Sequence, residues 1–516
     1  MTLGWRAAFA CGVSILVSGG CAVGPDYVRP TLPVPDAYRF APEDAGPSST
    51  SPATPAATSA ATSAATPAPD PSPAVYWWTQ IGDPVLDDLI AAARARNLDV
   101  LIATARVEEY YGRVMTTRAG LFPQVGAEAG GSRQRISSNG GSVLPIDNPF
   151  NQVRADVYAS WELDLFGRIR RLTEAARADW AASEQARRST EISVVAAVAS
   201  GYITLRDLDN RLRIAQDTLA SREGALNVFR ERFEGGVVSE VEYAQSRSEY
   251  ASALASVEQF RQSVAVQEDL LSVLIGENPR AMPRGKTIDE LGLPTVPVGL
   301  PSSLLEQRPD LLQAEQGLVA ANAQIGAARA QYFPTISLTG MFGAASTALS
   351  GLWVGSARAW SYGGLINVPI FTAGAIAGDV KQAEARQKQA LYGYQQAVQT
   401  AFREVADALA GVQYTRSQLD AKNVQVEALS RYALLARDRY EGGYTSYLEV
   451  LDSERSLFAA QLEQSTLRGA EFGQLVQLYK ALGGGWPVPD LVSVPDPINA
   501  AAPQANLGLP AGTAKE

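Results

Sequence analysis

Arg230-Glu231-Arg232-Phe233-Glu234-Gly235-Gly236, with Ser239 three residues on, returns 207 residues later as Arg437-Asp438-Arg439-Tyr440-Glu441-Gly442-Gly443, with Ser446 three residues on. No proline lies between Pro149 and Pro279, or between Pro369 and Pro487. Each glycine pair therefore interrupts a long alanine-rich stretch that reads as helix on both sides. A glycine takes the left-handed conformation at little cost and stops a helix; Ser239 and Ser446 are then placed to cap the next one. The chain makes two helical hairpins of one design, and the glycine pairs are their tips.

The repeat extends outward from the tips. Asp99, Ala103, Arg118, Ala119, Phe122 and Pro123 recur as Asp310, Ala314, Arg329, Ala330, Phe333 and Pro334, 211 residues on. Leu271 and Gly276 recur as Leu478 and Gly483. Each unit is a helix, a Phe-Pro break, a strand pair, a long helix, a tip and a returning helix. The long arms, 168–234 and 374–441, would each span about 100 Å at 1.5 Å per residue, whereas the returning arms, 239–276 and 446–482, reach only about 57 Å. A second short helix stacked end to end fills the missing length. The helix at 303–331 is expected beside the first long arm, together with 239–276. The helix at 84–120 is then available to stack in the second unit.

The strand pairs alternate with period two. Val153, Ala155, Val157, Ala159, Trp161, Leu163 and Leu165 point one way, and Arg154, Asp156, Ser160, Glu162 and Asp164 the other. In the second unit Trp360, Tyr362, Gly364, Ile366, Val368 and Ile370 alternate likewise, and the partner strands are Val125 to Ala129 and Ile336 to Phe342. Ordinary hairpins of a soluble sheet are one reading. The other sets one face in lipid and the other in water. After the signal, no stretch has the 18 apolar residues of a membrane helix. Four strands cannot close a barrel, and an open edge cannot sit in lipid. Membrane strands here require several chains to share one barrel, and three chains give twelve strands.

The N-terminus reads as an export signal over 1–20. Arg6 precedes an apolar run from Ala7 to Val17, too short to span a bilayer. Ser18-Gly19-Gly20-Cys21 resembles a bacterial lipobox, although Ser18 stands where Leu or Val is usual, so Cys21 is the candidate for acylation. The alternative is a plain cleaved signal. Residues 41–75 are Pro, Ala, Ser and Thr with little to bury, a disordered tether in the segment 21–75. The first unit then occupies 76–279, a connecting segment 280–302, the second unit 303–486 and a tail 487–516.

The composition restricts chemistry. There is no histidine, and the cysteines are Cys11 and Cys21 alone. The body of the chain lacks the commonest general base, any disulfide and any Cys/His metal cluster. No catalytic, cofactor-binding or metal-binding residue stands out; the one modification expected is the lipid on Cys21. A net charge of −10 without a basic stripe gives no sign of nucleic acid. A glycosidase would need paired carboxylates in a pocket, whereas Glu162 and Asp164 share one strand face.

The motifs Cys21-Ala22-Val23-Gly24-Pro25-Asp26-Tyr27, Trp161-Glu162-Leu163-Asp164-Leu165-Phe166-Gly167-Arg168, Arg308-Pro309-Asp310, Ala330-Gln331-Tyr332-Phe333-Pro334 and Leu478-Tyr479-Lys480-Ala481-Leu482-Gly483-Gly484-Gly485-Trp486 join the two tips. Together they resemble the TolC-like outer-membrane efflux factors, in the lipoprotein branch typified by OprM and NodT. The resemblance implies a mainly α protein with membrane β: a homotrimer with a 12-stranded β-barrel, four strands per chain, continued by a long α-helical periplasmic barrel. It implies passive export of drugs or other small molecules, docked to a periplasmic adaptor and an inner-membrane pump. It places the protein in the outer membrane. The tips, with Gly235, Gly236, Ser239, Gly442, Gly443 and Ser446, would dock the adaptor, unless they are turn chemistry alone. Leu448 and Asp452, four apart on one helical face, and Arg455 match the positions that close the periplasmic entrance. A coiled-coil seam with a solvated Asp is the alternative for that pair. A pore-less structural coiled-coil lipoprotein is the competing function, and single-channel current separates the two.

Overall fold

The computed structural model describes residues 22–35, 37–40, 76–137, 148–295 and 304–484. The readings of the signal, Cys21, the tether and the tail lie outside these residues. Seven long α-helices are described: α1 (Pro84–Arg96), α2 (Leu98–Ala119), α3 (Arg168–Glu234), α4 (Glu240–Leu274), α5 (Pro309–Ala330), α6 (Ala375–Glu441) and α7 (Tyr447–Ala481). The strands are β1 (Gln124–Gln134), β2 (Phe150–Leu163), β3 (Thr335–Ser346) and β4 (Arg358–Asn367), paired antiparallel in the order β1-β2-β3-β4. The two long arms, α3 and α6, have 67 residues each, and the returning arms α4 and α7 have 35 each.

The stretch 84–120 is broken at Asn97, and 303–331 is broken at Arg308. Asn97 takes an extended conformation and its side chain accepts from the amides of Asp99 and Val100, so it caps α2. Arg308 precedes Pro309, which disfavours helical geometry at the residue before it. These two positions are related by the duplication, and both are joints. Asn97 Nδ2 donates to the carbonyl of Leu274, the last residue of α4, at 2.9 Å. Arg308 Nη1 donates to the carbonyl of Ala481, the last residue of α7, at 2.9 Å. Each side chain thus satisfies one of the orphan carbonyls of a helix C-terminus.

The stacking expected from length alone holds in that 303–331 lies beside the first long arm, and is corrected in which helix ends meet. The returning arm α4 continues into α2, and α7 continues into α5, so each stack is formed within one unit. Long arm α3 packs against α2 and α4, and also against α5 and α7; long arm α6 packs against α5 and α7. Apolar side chains remain exposed on the outer members: Leu101, Ile102 and Met115 on α2, Val266, Leu270 and Val273 on α4, and Tyr392, Tyr414 and Val424 on α6.

The main core is a belt halfway along the helices. Trp77, Trp78, Ile81, Leu86 and Ile90 pack onto the middle of α3 and the ends of α4 and α7. Trp77 stacks on Tyr479 with ring centroids 4.8 Å apart. Asp83, fully buried, accepts from the Tyr202 hydroxyl at 2.7 Å and from the Lys286 amide at 3.0 Å.

In the sheet, the alternation holds. Val157 lies opposite Ala127 and Phe342, and Phe342 opposite Trp360; Trp161 lies opposite Leu338. On the other face Asp156 lies opposite Glu128, and Ser160 opposite Thr339. β1 and β3 extend beyond the expected stretches. β4 ends at Asn367 and leaves Val368 and Ile370 outside it, because Pro369 has no amide for the ladder. Likewise β2 ends at Leu163, before Leu165.

Two glycines at the joints carry a testable load. Gly276 has φ 78°, and a Cβ there would lie 2.3 Å from the carbonyl oxygen of Arg96; Gly236 has φ 71°, with nothing within 4 Å of that position. Gly276→Ala should lower the melting temperature of the detergent-solubilised protein well beyond Gly236→Ala, which carries only the left-handed strain of about 1–2 kcal/mol. Equal shifts in thermal scans would remove the joint from the account of stability.

Candidate functional site

Both tips end in the same backbone device. At the first, Gly236 takes the left-handed conformation, and the amide of Val237 donates to the carbonyl of Arg232 at 2.8 Å. At the second, Gly443 has φ 76° and the Tyr444 amide donates to Arg439 at 2.8 Å. These are Schellman closures. The first glycine of each pair, Gly235 and Gly442, stays right-handed.

The caps differ. Ser239 forms a capping box: its hydroxyl accepts from the Glu242 amide at 3.4 Å, and the Glu242 carboxylate accepts from the Ser239 amide at 2.9 Å. Ser446 occupies the same position, but its side chain makes no cap hydrogen bond; the neighbouring Thr445 hydroxyl bonds to Glu449 instead. The expectation of a serine cap is met at the first tip and corrected at the second. All six tip residues are exposed.

The two tips are tied together by an aromatic cluster. Phe229, Ala436, Tyr447, Val450 and Leu451 are buried in it. Phe229 and Tyr447 have ring centroids 4.3 Å apart, and Arg232 Nη1 donates to the Tyr440 hydroxyl at 3.2 Å. Burial pushes the Tyr447 hydroxyl up to about 12, with the Glu454 carboxylate adding to the shift, so it stays protonated.

Just above lies a charge cluster that sequence reading found only in part. Arg455 on α7 is bonded to Glu249 on α4, with Nε to Oε1 at 2.8 Å. Glu249 is buried and also pairs with Arg222 on α3 at 2.5 Å. Arg222 is itself buried, and its guanidinium lies over the Phe458 ring at 5.9 Å. The hydrogen bond to Glu249 holds Arg455 above its ordinary range. One carboxylate thus bridges three helices from both hairpins. A glutamate inside a coiled-coil seam, seven residues after Glu242, was the available signal.

Leu448 is 60% exposed, and Asp452 is exposed on the same face of α7, one turn apart. Val241 and Gln245, their counterparts in the first unit, are exposed on α4. Within one chain Leu448 and Asp452 adjoin Arg455 but enclose nothing. Among the described residues no group of three carboxylates, cysteines or histidines could hold a metal, and no helix is long and apolar enough to cross a membrane.

An amphipathic four-stranded sheet with two open edges, prolonged by hairpins of about 100 Å, defines a subunit of an outer-membrane channel. The comparisons agree. The family model described as outer membrane efflux protein matches residues 89–277 and 300–484, and the chain belongs to that family. It is 36% identical over 487 residues to the toluene efflux pump outer membrane protein TtgC of Pseudomonas putida, covering 93% of this chain and 96% of that protein. It is 34% identical over 469 residues to the cation efflux system protein CusC of Escherichia coli, covering 90% and 96%. A membrane protein from Pseudomonas aeruginosa superimposes with a TM-score of 0.79 at 32% identity, covering 92% of this chain and 100% of that one. The open state of the Neisseria gonorrhoeae MtrE outer membrane channel does so with 0.72 at 32%, covering 90% and 99%. The protein is an efflux channel of the outer membrane and not an enzyme.

The charge cluster yields a graded prediction. Glu249→Ala leaves Arg222 buried without its partner and should cost about 3–5 kcal/mol. Arg455→Ala removes a side chain that is 54% exposed and should cost about 1 kcal/mol or less. Thermal or denaturant unfolding of the two variants measures the order.

Proposed function

We propose that three copies close one twelve-stranded barrel, that their helices form a tunnel through the periplasm, and that the tips gate it. The single observation carrying this reading is the sheet: one apolar face, one polar face, and two open edges that no other part of the described chain covers. Solutes leave passively through the tunnel, delivered by an inner-membrane pump through a periplasmic adaptor. The adaptor docks on the exposed tips at Gly235, Gly236, Ser239, Gly442, Gly443 and Ser446. The open flanks of α2 and α4 on one side and α6 on the other support the same assembly, since the duplication makes α6 the counterpart of α3.

Around a threefold axis, Leu448 forms an apolar ring and Asp452 an acidic one. An apolar constriction resists wetting, and a carboxylate ring favours cations. Arg455, bonded to Glu249, ties α7 to the first hairpin of the same copy beside these rings. Purified protein in planar bilayers should give a small cation-selective current, and Leu448→Ser with Asp452→Ser should raise the conductance severalfold and weaken the selectivity. Unchanged conductance in an assembled double variant moves the gate elsewhere. A complete absence of current in both proteins favours a pore-less spacer.

Cys21 carries the lipid. Its neighbour Ala22 lies against Gly167, at the junction of β2 and α3, and the Val23 amide donates to Phe166 at 3.1 Å. The chain from there is fixed by Asp26 on Arg171 at 2.8 Å and by Arg29 on Glu315 at 2.9 Å. The described chain that follows Cys21 is thus anchored at the foot of the strands, which supports a lipid on that side of the sheet. Cys21→Ala should leave trimers in the outer membrane in reduced amount. Fully soluble periplasmic protein would contradict the membrane strands, and loss of no acyl mass on substitution would contradict the lipid.

A further inference from the structure

We propose that β4 of one copy pairs with β1 of the next in the register the chain already uses between β2 and β3. Ile366 then stands opposite the partner's Ala129, and Tyr362 opposite the partner's Arg133. This inference rests on the shared barrel and adds its register.

The argument is internal symmetry. The first hairpin pairs Gln124 with Ser160, and the second pairs Thr335 with Asn367. The first strands are therefore related by 211 residues and the second strands by 207. Both offsets recur independently in the flanking chain. Phe122-Pro123 and Phe333-Pro334 precede β1 and β3 at the first offset, and the left-handed glycines Gly167 and Gly374 precede α3 and α6 at the second. The hairpins are one structure used twice. Within the chain they are joined by β2 and β3, with Ala159 opposite Gly340 and Ala155 opposite Ala344. Moving that joint forward by one hairpin replaces Ala159 and Gly340 by Ile366 and the partner's Ala129. It replaces Ala155 and Ala344 by Tyr362 and the partner's Arg133.

The side chains fit this register. Ile366 is exposed on the apolar face and meets an alanine. Tyr362 is 82% exposed and stacked on Trp360, with centroids 5.7 Å apart. Opposite the partner's Arg133 and Arg135, this aromatic pair covers two guanidinium groups that otherwise face outward at the rim. On the polar face Asn367 meets the partner's Glu128. A slip of one residue would turn every side chain to the wrong face. A slip of two keeps the faces but parts Tyr362 from the partner's Arg133.

Paired cysteines in the full-length protein test the register, because Cys21 is the sole native thiol after the signal. Directly opposed residues come within reach of a disulfide formed by a mild added oxidant, and residues two places away do not. In outer membranes, Ala129→Cys with Ile366→Cys should form covalent trimers about fivefold more efficiently than the slipped pairs. Those are Ala127→Cys or Gly131→Cys, each with Ile366→Cys. Should the first variant fail to assemble, Gly131→Cys with Gly364→Cys, both inside the strands, reads the same register. Preferential linking of a slipped pair overturns the proposal. Native mass of the reduced variants separates the two levels: trimers that no pair can link refute the register alone, and monomers refute the shared barrel.

Discussion

A β-strand in hydrocarbon must have every amide and carbonyl bonded. The four strands described here satisfy that rule at three joints and leave it open at the outer edges of β1 and β4. One chain cannot close the sheet, since a barrel of four strands leaves no interior. Assembly is thus a condition of entering the membrane rather than an addition to a finished fold. The same constraint explains the exposed aromatic and aliphatic side chains. Phe342, Trp360, Tyr362 and Ile366 would be an aggregation hazard on a soluble protein; against lipid they are the favourable surface.

Below the membrane the problem is different. A hairpin with arms of 67 and 35 residues leaves half of the long arm uncovered. The chain fills the gap with a second helix set end to end. Two helix ends meeting in the interior bring unsatisfied carbonyls together. The duplicated joint handles them twice with different chemistry: an amide at Asn97, a guanidinium at Arg308. Arg308 is further held by Asp310 and Glu404, at 2.6 and 2.8 Å. Gly276 and Gly483 do the complementary work of letting the backbones approach, with left-handed φ and with Arg96 and Gln307 close by.

Much of this was legible in the sequence, and the reason is periodicity. Proline-free stretches and glycine pairs marked the long helices almost to the residue, and strict alternation separated the two faces of the strands. What periodicity cannot report is which ends meet. Lengths allowed 303–331 to stack with either returning arm, and only the contacts at Asn97 and Arg308 decide. The Asn97 break was invisible to a helical pattern because α1 and α2 are both amphipathic. At the tips, Ser446 has the right position but makes no cap hydrogen bond, and Glu449, which would complete the box, bonds to Thr445 instead. Glu249 was missed for the same reason that it matters: a buried charge in a seam looks, in sequence, like a solvated one.

The tips also show where the duplication stops being a symmetry. Arg455 of the second unit pairs with Glu249 of the first. Carried forward by one unit, the same link between neighbouring copies would join Ser248 and Ser456, and Arg222 would be replaced by Leu429. Neither serine carries a charge, so the ion pair exists once per chain and not between chains. Around a threefold axis the six hairpins therefore alternate between a joint fixed by a buried carboxylate and a joint with no such pair. Between the hairpins of one copy the half-exposed Arg455–Glu249 bond contributes about 1 kcal/mol or less and adds to the buried Phe229–Tyr447 contact, whereas the serine positions between copies offer no ion pair. The two hairpins of one copy are then expected to move as a unit, and separation between copies to meet the lower resistance.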